Sequence, residues 1–442
     1  FTFSTHYAYK GRYMADFSLR ADGTTKFGPK RRWGYFPAMS LRWNIVDEPW
    51  MKGSEKWLSM LAVRPSWGRV GNQPNQDYLY ESIYSSGTRY IDMSAIRPNN
   101  IRLTDLRWET TTTWDVGFDL GLFNDKVTLQ GEWYHSTRRD MLMPSVSIPS
   151  STGYYALAYS NVGSMRNIGW ELNLNTNQMV KTGKFTADVN LTFGNNSNEI
   201  LTMNETVLSS LNSDFHFENR EVLQRVQLNN PFGAIYGFRF KGVYEYQYET
   251  FADMTPQEQQ AFVAAGHTAP YVLSEEGEIV LDKENKPVRM IYNFSYDGTG
   301  KNYLFKGGDA IYEDINYDGE INALDIVYLG SSLPKLTGGF GVTLNYGRWK
   351  LNTQFNYRIG NKILNLARLD TESMTTNDNQ SKAVNWRWRK EGNQTSIPRA
   401  MYGSTTSYNT LISDRFVEDG SFLRLNYTQL SYSFDPKIIK HI

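Results

Sequence analysis

Apolar and polar residues alternate with period two through long stretches of this chain, a pattern that predicts extended strands with one apolar face. In "WDVGFDLGLF", Trp114, Val116, Phe118, Leu120 and Leu122 share one face, while Asp115, Gly117, Asp119 and Gly121 share the other. A short "NDK" turn signal follows. "VTLQGEWY" then resumes the alternation, with Val127, Leu129 and Trp133 opposed to Thr128, Gln130, Glu132 and Tyr134. The two runs read as a hairpin with a tight turn. The unit recurs in "IGWELNL" and "KTGKFTADVNLTF", whose apolar positions include Trp170, Leu172, Val189 and Leu191. It recurs again in "FGVTLNYGRWKLNTQFNY", with a Gly347-Arg348 turn and with Asn352, Gln354 and Asn356 on the polar face.

A soluble β-sandwich also alternates, so the pattern needs three further observations to be read. The runs extend to ten residues or more, beyond the usual strand length of about 5–6. The apolar faces end repeatedly in Trp or Tyr, as an interfacial girdle requires. Tight turns also alternate with long polar excursions near 71–107, 138–165, 245–336 and 361–412. Short turns at one end and long loops at the other are the signature of an all-β, transmembrane antiparallel β-barrel. Hydrocarbon offers no partner to backbone N–H and C=O groups, so a sheet facing lipid must close on itself, and its other face is free to be polar. Two loop segments carry helix signals. "MTPQEQQAFVAAG" has Thr255 as N-cap, Pro256 at the first helical position and Glu258 to complete a capping box. "SKAVNWRWRKEG" predicts a second short helix ended by Gly392.

Composition agrees with this reading and narrows the chemistry. Aromatic residues make up 14% of the 442 positions, yet mean hydropathy is −0.53. No stretch approaches the ~18 apolar residues of a membrane helix, and a membrane barrel would show none. The 46 basic and 46 acidic residues cancel, which argues against a nucleic-acid-binding face. Cysteine is absent, excluding disulfides and thiolate sites within these residues. His6, His135, His216, His267 and His441 fall in separate elements without metal-ligand spacing, and no nucleophile elbow, P-loop or dinucleotide fingerprint appears. The sequence therefore nominates no catalytic residue and no enzyme.

One motif does carry chemistry. In "DINYDGEINALD", Asp314, Asn316, Asp318, Glu320, Asn322 and Asp325 occupy positions 1, 3, 5, 7, 9 and 12 of a calcium-loop pattern, with Gly319 at the sharp turn. Side chains at 314, 316, 318 and 325, the Glu320 carbonyl and a direct or water-mediated contact from Asn322 predict a structural Ca²⁺. The competing reading is an Asx-rich turn that holds no metal.

The chain also resembles the C-terminal part of the barrel of SusC/RagA-type TonB-dependent outer-membrane transporters. The resemblance rests on "YAYKGRYMADFSLRADGTTKFGPKRRWGYFPAMSLRWNI", "LAVRPSWGRVGNQ", "LRWETTTTWDVGFDLGLFNDKVTLQGEWY", "NVGSMRNIGWELNL", "FGAIYGFRFKGVYE", the Asp314–Asp325 loop, "RWRKEGNQTSIPR" and "FLRLNYTQLSYSFDP". These run in family order from end to end. The resemblance implies that residues 1–442 form about half of a barrel of roughly 22 strands. It places the family's N-terminal extension, TonB box, plug domain, first barrel half and last strands outside the sequence given. It also implies TonB-energised import, across the outer membrane, of a nutrient oligomer, glycan or peptide. The implied partners are a SusD-like surface lipoprotein lid, TonB acting through the N-terminal region, and outer-membrane lipid. A barrel enzyme and a calcium-dependent surface adhesin are the alternatives. A strand-like run within about twenty residues of the calcium-type loop argues against a freestanding docking module and for a brace on an extracellular loop.

Overall fold

The computed structural model describes residues 1–91, 93–205, 207–208, 227–293, 303–403 and 408–434; His216 and His441 lie outside them. Eleven long strands form one wall: β1 Thr2–Tyr9, β2 Tyr13–Gly23, β3 Trp33–Asn44, β4 Leu58–Asn72, β5 Glu109–Leu122, β6 Val127–Arg139, β7 Gly163–Thr176, β8 Phe185–Met203, β9 Leu336–Tyr346, β10 Trp349–Ile359 and β11 Phe422–Tyr432. Each pairs antiparallel with its neighbours in chain order, and the short strand Val180–Thr182 adds to the start of β8. The wall does not close among the described residues, where β1 and β11 stand at the two ends of the strand order.

The alternation is what sets the register. Val116 lies opposite Trp133, and Leu120 opposite Leu129. Trp133 in turn faces Trp170 on β7, and Leu191 on β8 faces Phe340 on β9. A slip of one residue would exchange the two faces of a strand, so the pattern specifies the pairing strongly. On the apolar side Trp114, Val116 and Phe118 are 57%, 45% and 36% exposed, whereas Asp119 on the other side is 4% exposed. Exposed apolar residues in a continuous band belong against hydrocarbon, and the opposite face therefore lines the lumen.

Glycines on the wall sit beneath rings of the next strand. Phe118 lies opposite Gly131, Tyr134 opposite Gly169, and Tyr357 opposite Gly338. In each pair, a Cβ added to the glycine would run into that ring. The aromatic residue covers backbone that the glycine leaves bare, a pairing that pins register.

Tight turns close one end of the wall. Phe123, Asn124 and Asp125 all have left-handed backbone, with φ of 55°, 58° and 59°. Ser59 on β4 holds this turn by donating to Asp125 Oδ1 at 2.7 Å and accepting the Asp125 amide at 3.0 Å. At the same end, Glu48 gathers the polar tips of the girdle. Tyr13 donates to it at 2.5 Å, the Trp43 indole at 3.0 Å and Arg12 at 3.2 Å. The Tyr13 bond, followed by that from Trp43, holds the Glu48 carboxyl below its ordinary pKa. Glu48→Ala leaves these donors without their acceptor and should destabilise this end of the wall. The full-length barrel carrying it should convert from the folded to the unfolded gel form at a lower temperature.

Long connections all lie at the opposite end. The described parts of the two largest, 204–335 and 360–421, fold together into one body whose core includes Tyr236, Phe238, Phe305, Tyr312, Leu369 and Phe416. Phe238, Phe305 and Phe416 are fully buried, and each contributes about 1.5–3 kcal/mol. Helix α1, Pro256–Ala264, belongs to the first loop. Its capping box is formed, with the Glu258 amide donating to Thr255 Oγ1 and Glu258 Oε2 accepting from the Thr255 amide. The second expected helix is shorter than its sequence signal. Only Lys382–Trp386 turns, as a 3-10 helix. Buried Trp388 takes the chain out of it, because its indole donates to Glu245 O at 3.0 Å and its amide to Ile397 O at 2.9 Å.

Candidate functional site at the loop end of the barrel

The lumen face of the wall is polar and largely self-satisfied. Asp119 on β5 receives Arg42 Nη1 at 2.9 Å, while Arg64 Nε sits 3.1 Å from the same oxygen, off the line of a hydrogen bond. Thr113 donates to Ser136 at 3.0 Å, and Thr192 both receives the Gly339 amide at 2.8 Å and donates to its carbonyl. Asn352 donates to the Tyr427 hydroxyl at 3.2 Å. These groups present hydrogen-bonding capacity of both signs along the lumen.

Above the wall, two ionic clusters hold the loop body. Asp309 is fully buried. It accepts from Arg399 Nε at 2.6 Å, the Tyr303 hydroxyl at 2.6 Å, the Lys306 amide at 2.9 Å and Asn409 Nδ2 at 3.4 Å. Arg399 also reaches the Tyr303 hydroxyl at 2.9 Å, and Tyr303 stacks on Tyr408 with ring centroids 3.9 Å apart. Because Asp309 belongs to the first loop and Arg399, Tyr408 and Asn409 to the second, the cluster is a staple between them. The second cluster pairs Glu372 with Arg415 at 2.6 Å, both 4% exposed, and with Arg368 at 2.9 Å. The Arg415 guanidinium also lies over the rings of Phe240 and Phe416, a cation–π arrangement favoured in a desolvated setting.

The calcium-type residues lie in one compact turn beside this core. Gly319 has φ of 82°, and its amide donates to Asp314 Oδ2 at 2.8 Å. Asp318 accepts the Glu320 amide and Asn316 Nδ2, each at 2.8 Å. Asn322 Oδ1 caps the Leu324 amide at 2.8 Å. The Glu320 carboxylate turns away to receive Asn293 Nδ2 at 2.6 Å. Fully buried Asp325 accepts the amides of Ile315 and Asn322, each at 2.8 Å. The turn thus brings Asp314, Asn316, Asp318 and Asp325 together but engages most of their oxygens with backbone amides. Among the described residues no three acidic or histidine side chains converge as a metal cluster. One donor fits an ion: Asp314 Oδ1 is inaccessible and has no hydrogen-bond partner. Burial raises the Asp314 carboxyl above its ordinary pKa and pushes Asp325 up to about 6. Negative charge in this turn is therefore unfavourable without compensation.

Neither staple is signalled by local pattern. Asp309 and Arg399 stand 90 residues apart, and only the family-like segment "RWRKEGNQTSIPR", which ends on Arg399, marks one partner.

Comparison with known proteins gives the lineage. A family model described as TonB dependent receptor-like, beta-barrel, matches residues 3–274. TonB-dependent receptor P39 of Formosa agariphila is 27% identical over 449 residues, covering 99% of this chain and 40% of that protein. TonB-dependent receptor SusC of Bacteroides thetaiotaomicron is 27% identical over 437 residues, covering 97% of this chain and 37% of its own length. The RagAB peptide importer in its open-open state superposes with a TM-score of 0.70 at 19% identity, over 99% of this chain and 40% of that one. The chain thus spans about two-fifths of the proteins it matches. With an outward apolar face, a polar lumen wall and loops gathered at one end, it belongs to the TonB-dependent receptor-like β-barrel family of the outer membrane.

Proposed function

We propose that the full-length protein imports a nutrient oligomer, glycan or peptide, across the outer membrane with energy from TonB, and that a SusD-like lipoprotein lid works with it. The observation carrying this reading is the polar lumen wall joined to a two-loop body held by the Asp309 and Glu372 clusters. Such a body gives the loop end a fixed shape against which a lid can close, and the wall offers hydrogen bonds to cargo that passes it. The solved relative named as a peptide importer supports peptide as cargo, and the kinship to SusC supports the pairing with a lipoprotein lid. Uptake of labelled oligomer by cells carrying the intact gene should disappear when either the gene or TonB is deleted. Uptake that survives loss of TonB would refute the energised mechanism.

A second reading concerns the loop Asp314–Asp325. We propose that it holds one structural Ca²⁺ through Asp314, Asn316, Asp318, the Glu320 carbonyl, Asn322 and Asp325, and so braces an extracellular loop. The partnerless Asp314 Oδ1 supports this. The ion would supply the compensating charge that the raised Asp314 and Asp325 carboxyls lack. Chelation should speed proteolysis within 303–335 and lower the melting temperature of the full-length protein, and added Ca²⁺ should reverse both effects. Unchanged cleavage and melting would count against the metal.

A further inference from the structure

In the second loop, the 3-10 turn Lys382–Trp386 and the residues after it carry four cations within four positions of one exposed indole. Trp386 is 78% exposed, an unusual position for a ring whose burial is worth so much. Lys382, Arg389 and Lys390 are exposed, Arg387 is half-buried with Nη1 on the Val384 carbonyl at 3.3 Å, and Arg389 Nη2 donates to the Asn385 carbonyl at 3.1 Å. Among the described residues no carboxylate pairs with any of these four cations. The neighbouring ion pairs use Arg368, Arg399 and Arg415 instead. Glu391, the acidic residue in this stretch, is turned away: its Oε1 accepts the Gln247 amide at 2.8 Å and Thr250 Oγ1 at 2.7 Å.

The surface is held firmly from beneath. Ser381 caps the turn through the Ala383 amide, Thr395 donates to the Trp386 carbonyl at 2.6 Å, and buried Trp388 anchors the segment to Glu245 O. The exposed indole is therefore presented by a fixed backbone, with little further ordering needed on binding. Specific protein–protein interfaces usually cover about 800 Å² on each partner around several apolar anchors. One indole and four cations on a nine-residue stretch are too small for that, but they match one or two sugar units.

Resting on the importer reading above, we propose that this surface is a capture site for an anionic oligosaccharide. The Trp386 ring would stack on the apolar C–H face of a sugar, and Lys382, Arg387, Arg389 and Lys390 would meet its carboxylate or sulfate groups. A neutral glycan would leave four cations unused, and an acidic peptide would leave the indole without a flat apolar partner.

The test is calorimetric binding to the full-length protein in detergent or nanodiscs, which needs no TonB and so stands apart from the transport reading. The probes are tetragalacturonate, a sulfated carrageenan tetrasaccharide, maltotetraose and tetraglutamate. One or both acidic glycans should bind, in a salt-sensitive manner, and the carboxylated and sulfated arms identify which anion is preferred. Trp386→Ala should weaken that binding about tenfold. The triple variant Lys382→Gln, Arg389→Gln, Lys390→Gln should weaken it by about tenfold or more and flatten the salt dependence, with melting unchanged. The proposal is overturned if neither acidic glycan binds, if maltotetraose binds equally, or if tetraglutamate binds equally. Wild-type affinity in Trp386→Ala also overturns it.

Discussion

Asp309→Ala should separate the two large loops while leaving the barrel wall folded. The substitution strips Arg399, the Tyr303 hydroxyl, the Lys306 amide and Asn409 of a shared, fully buried acceptor, while the Arg399 side chain stays 27% exposed. Removing one partner of a fully buried pair costs about 3–5 kcal/mol because the other charge stays behind unpaired, and the exposed part of Arg399 puts this change at the lower end. That is a large part of what a body of this size can have in reserve. Limited proteolysis of the full-length variant should cut within 303–312 and 386–403, while heat-modifiable gel migration persists. Asp309→Ala and Arg399→Ala together should cost less than the sum of the single changes, because each removes the charge that the other leaves stranded. Protease resistance equal to wild type would show that the hydrophobic core alone holds the loops together.

Gly169→Leu should prevent the wall from assembling, and the reason lies in what surrounds the glycine. A Cβ at this position meets the Tyr134 ring and lies 2.5 Å from the Asn195 backbone carbonyl. Tyr134 can swing into the lumen, but the carbonyl belongs to β8 and cannot retreat without breaking the β7–β8 ladder. Overpacking of this kind costs about 3 kcal/mol, so removing the ring with Tyr134→Ala should not restore the folded gel form. Gly131→Leu makes the contrast. There the nearest atoms are all on the Phe118 side chain, and Phe118→Ala should rescue it. If Tyr134→Ala rescued Gly169→Leu as well, side-chain crowding alone would explain both positions.

These two predictions fall on opposite sides of what the sequence discloses. The wall is legible because its physics is local. Lipid on one face and water on the other force a two-residue period, and from "WDVGFDLGLF" through "FGVTLNYGRWKLNTQFNY" that period places strands, faces and turns. The glycine–aromatic pairs are half legible: Gly131, Gly169 and Gly338 are visible as breaks in the pattern, but their covering rings appear only once strands are in register. The loop body is nearly silent. Its core comes from strands of two to four residues, such as Tyr303–Leu304 and Ala234–Gly237, which are too short to show a period. Trp388 shows the same limit from the other side, since a bond to Glu245 across the body overrides the local helix signal. The calcium-type loop is legible in its spacing, yet only the folded turn separates Asp314, with a free oxygen, from Asp325, whose two oxygens are bound to amides.

One face of these strands meets lipid and the other a polar lumen. Cysteine is absent from these 442 residues, which suits single-cysteine labelling in this region of the full-length protein. Fluorophores placed at Asp115, Val116, Leu129, Gln130, Glu132 and Trp133, in vesicles containing nitroxide-labelled lipid, read the two faces directly. Quenching should be strong at 116, 129 and 133 and weak at 115, 130 and 132, where a water-soluble quencher should act instead. Equal quenching by lipid at both sets of positions would contradict the barrel.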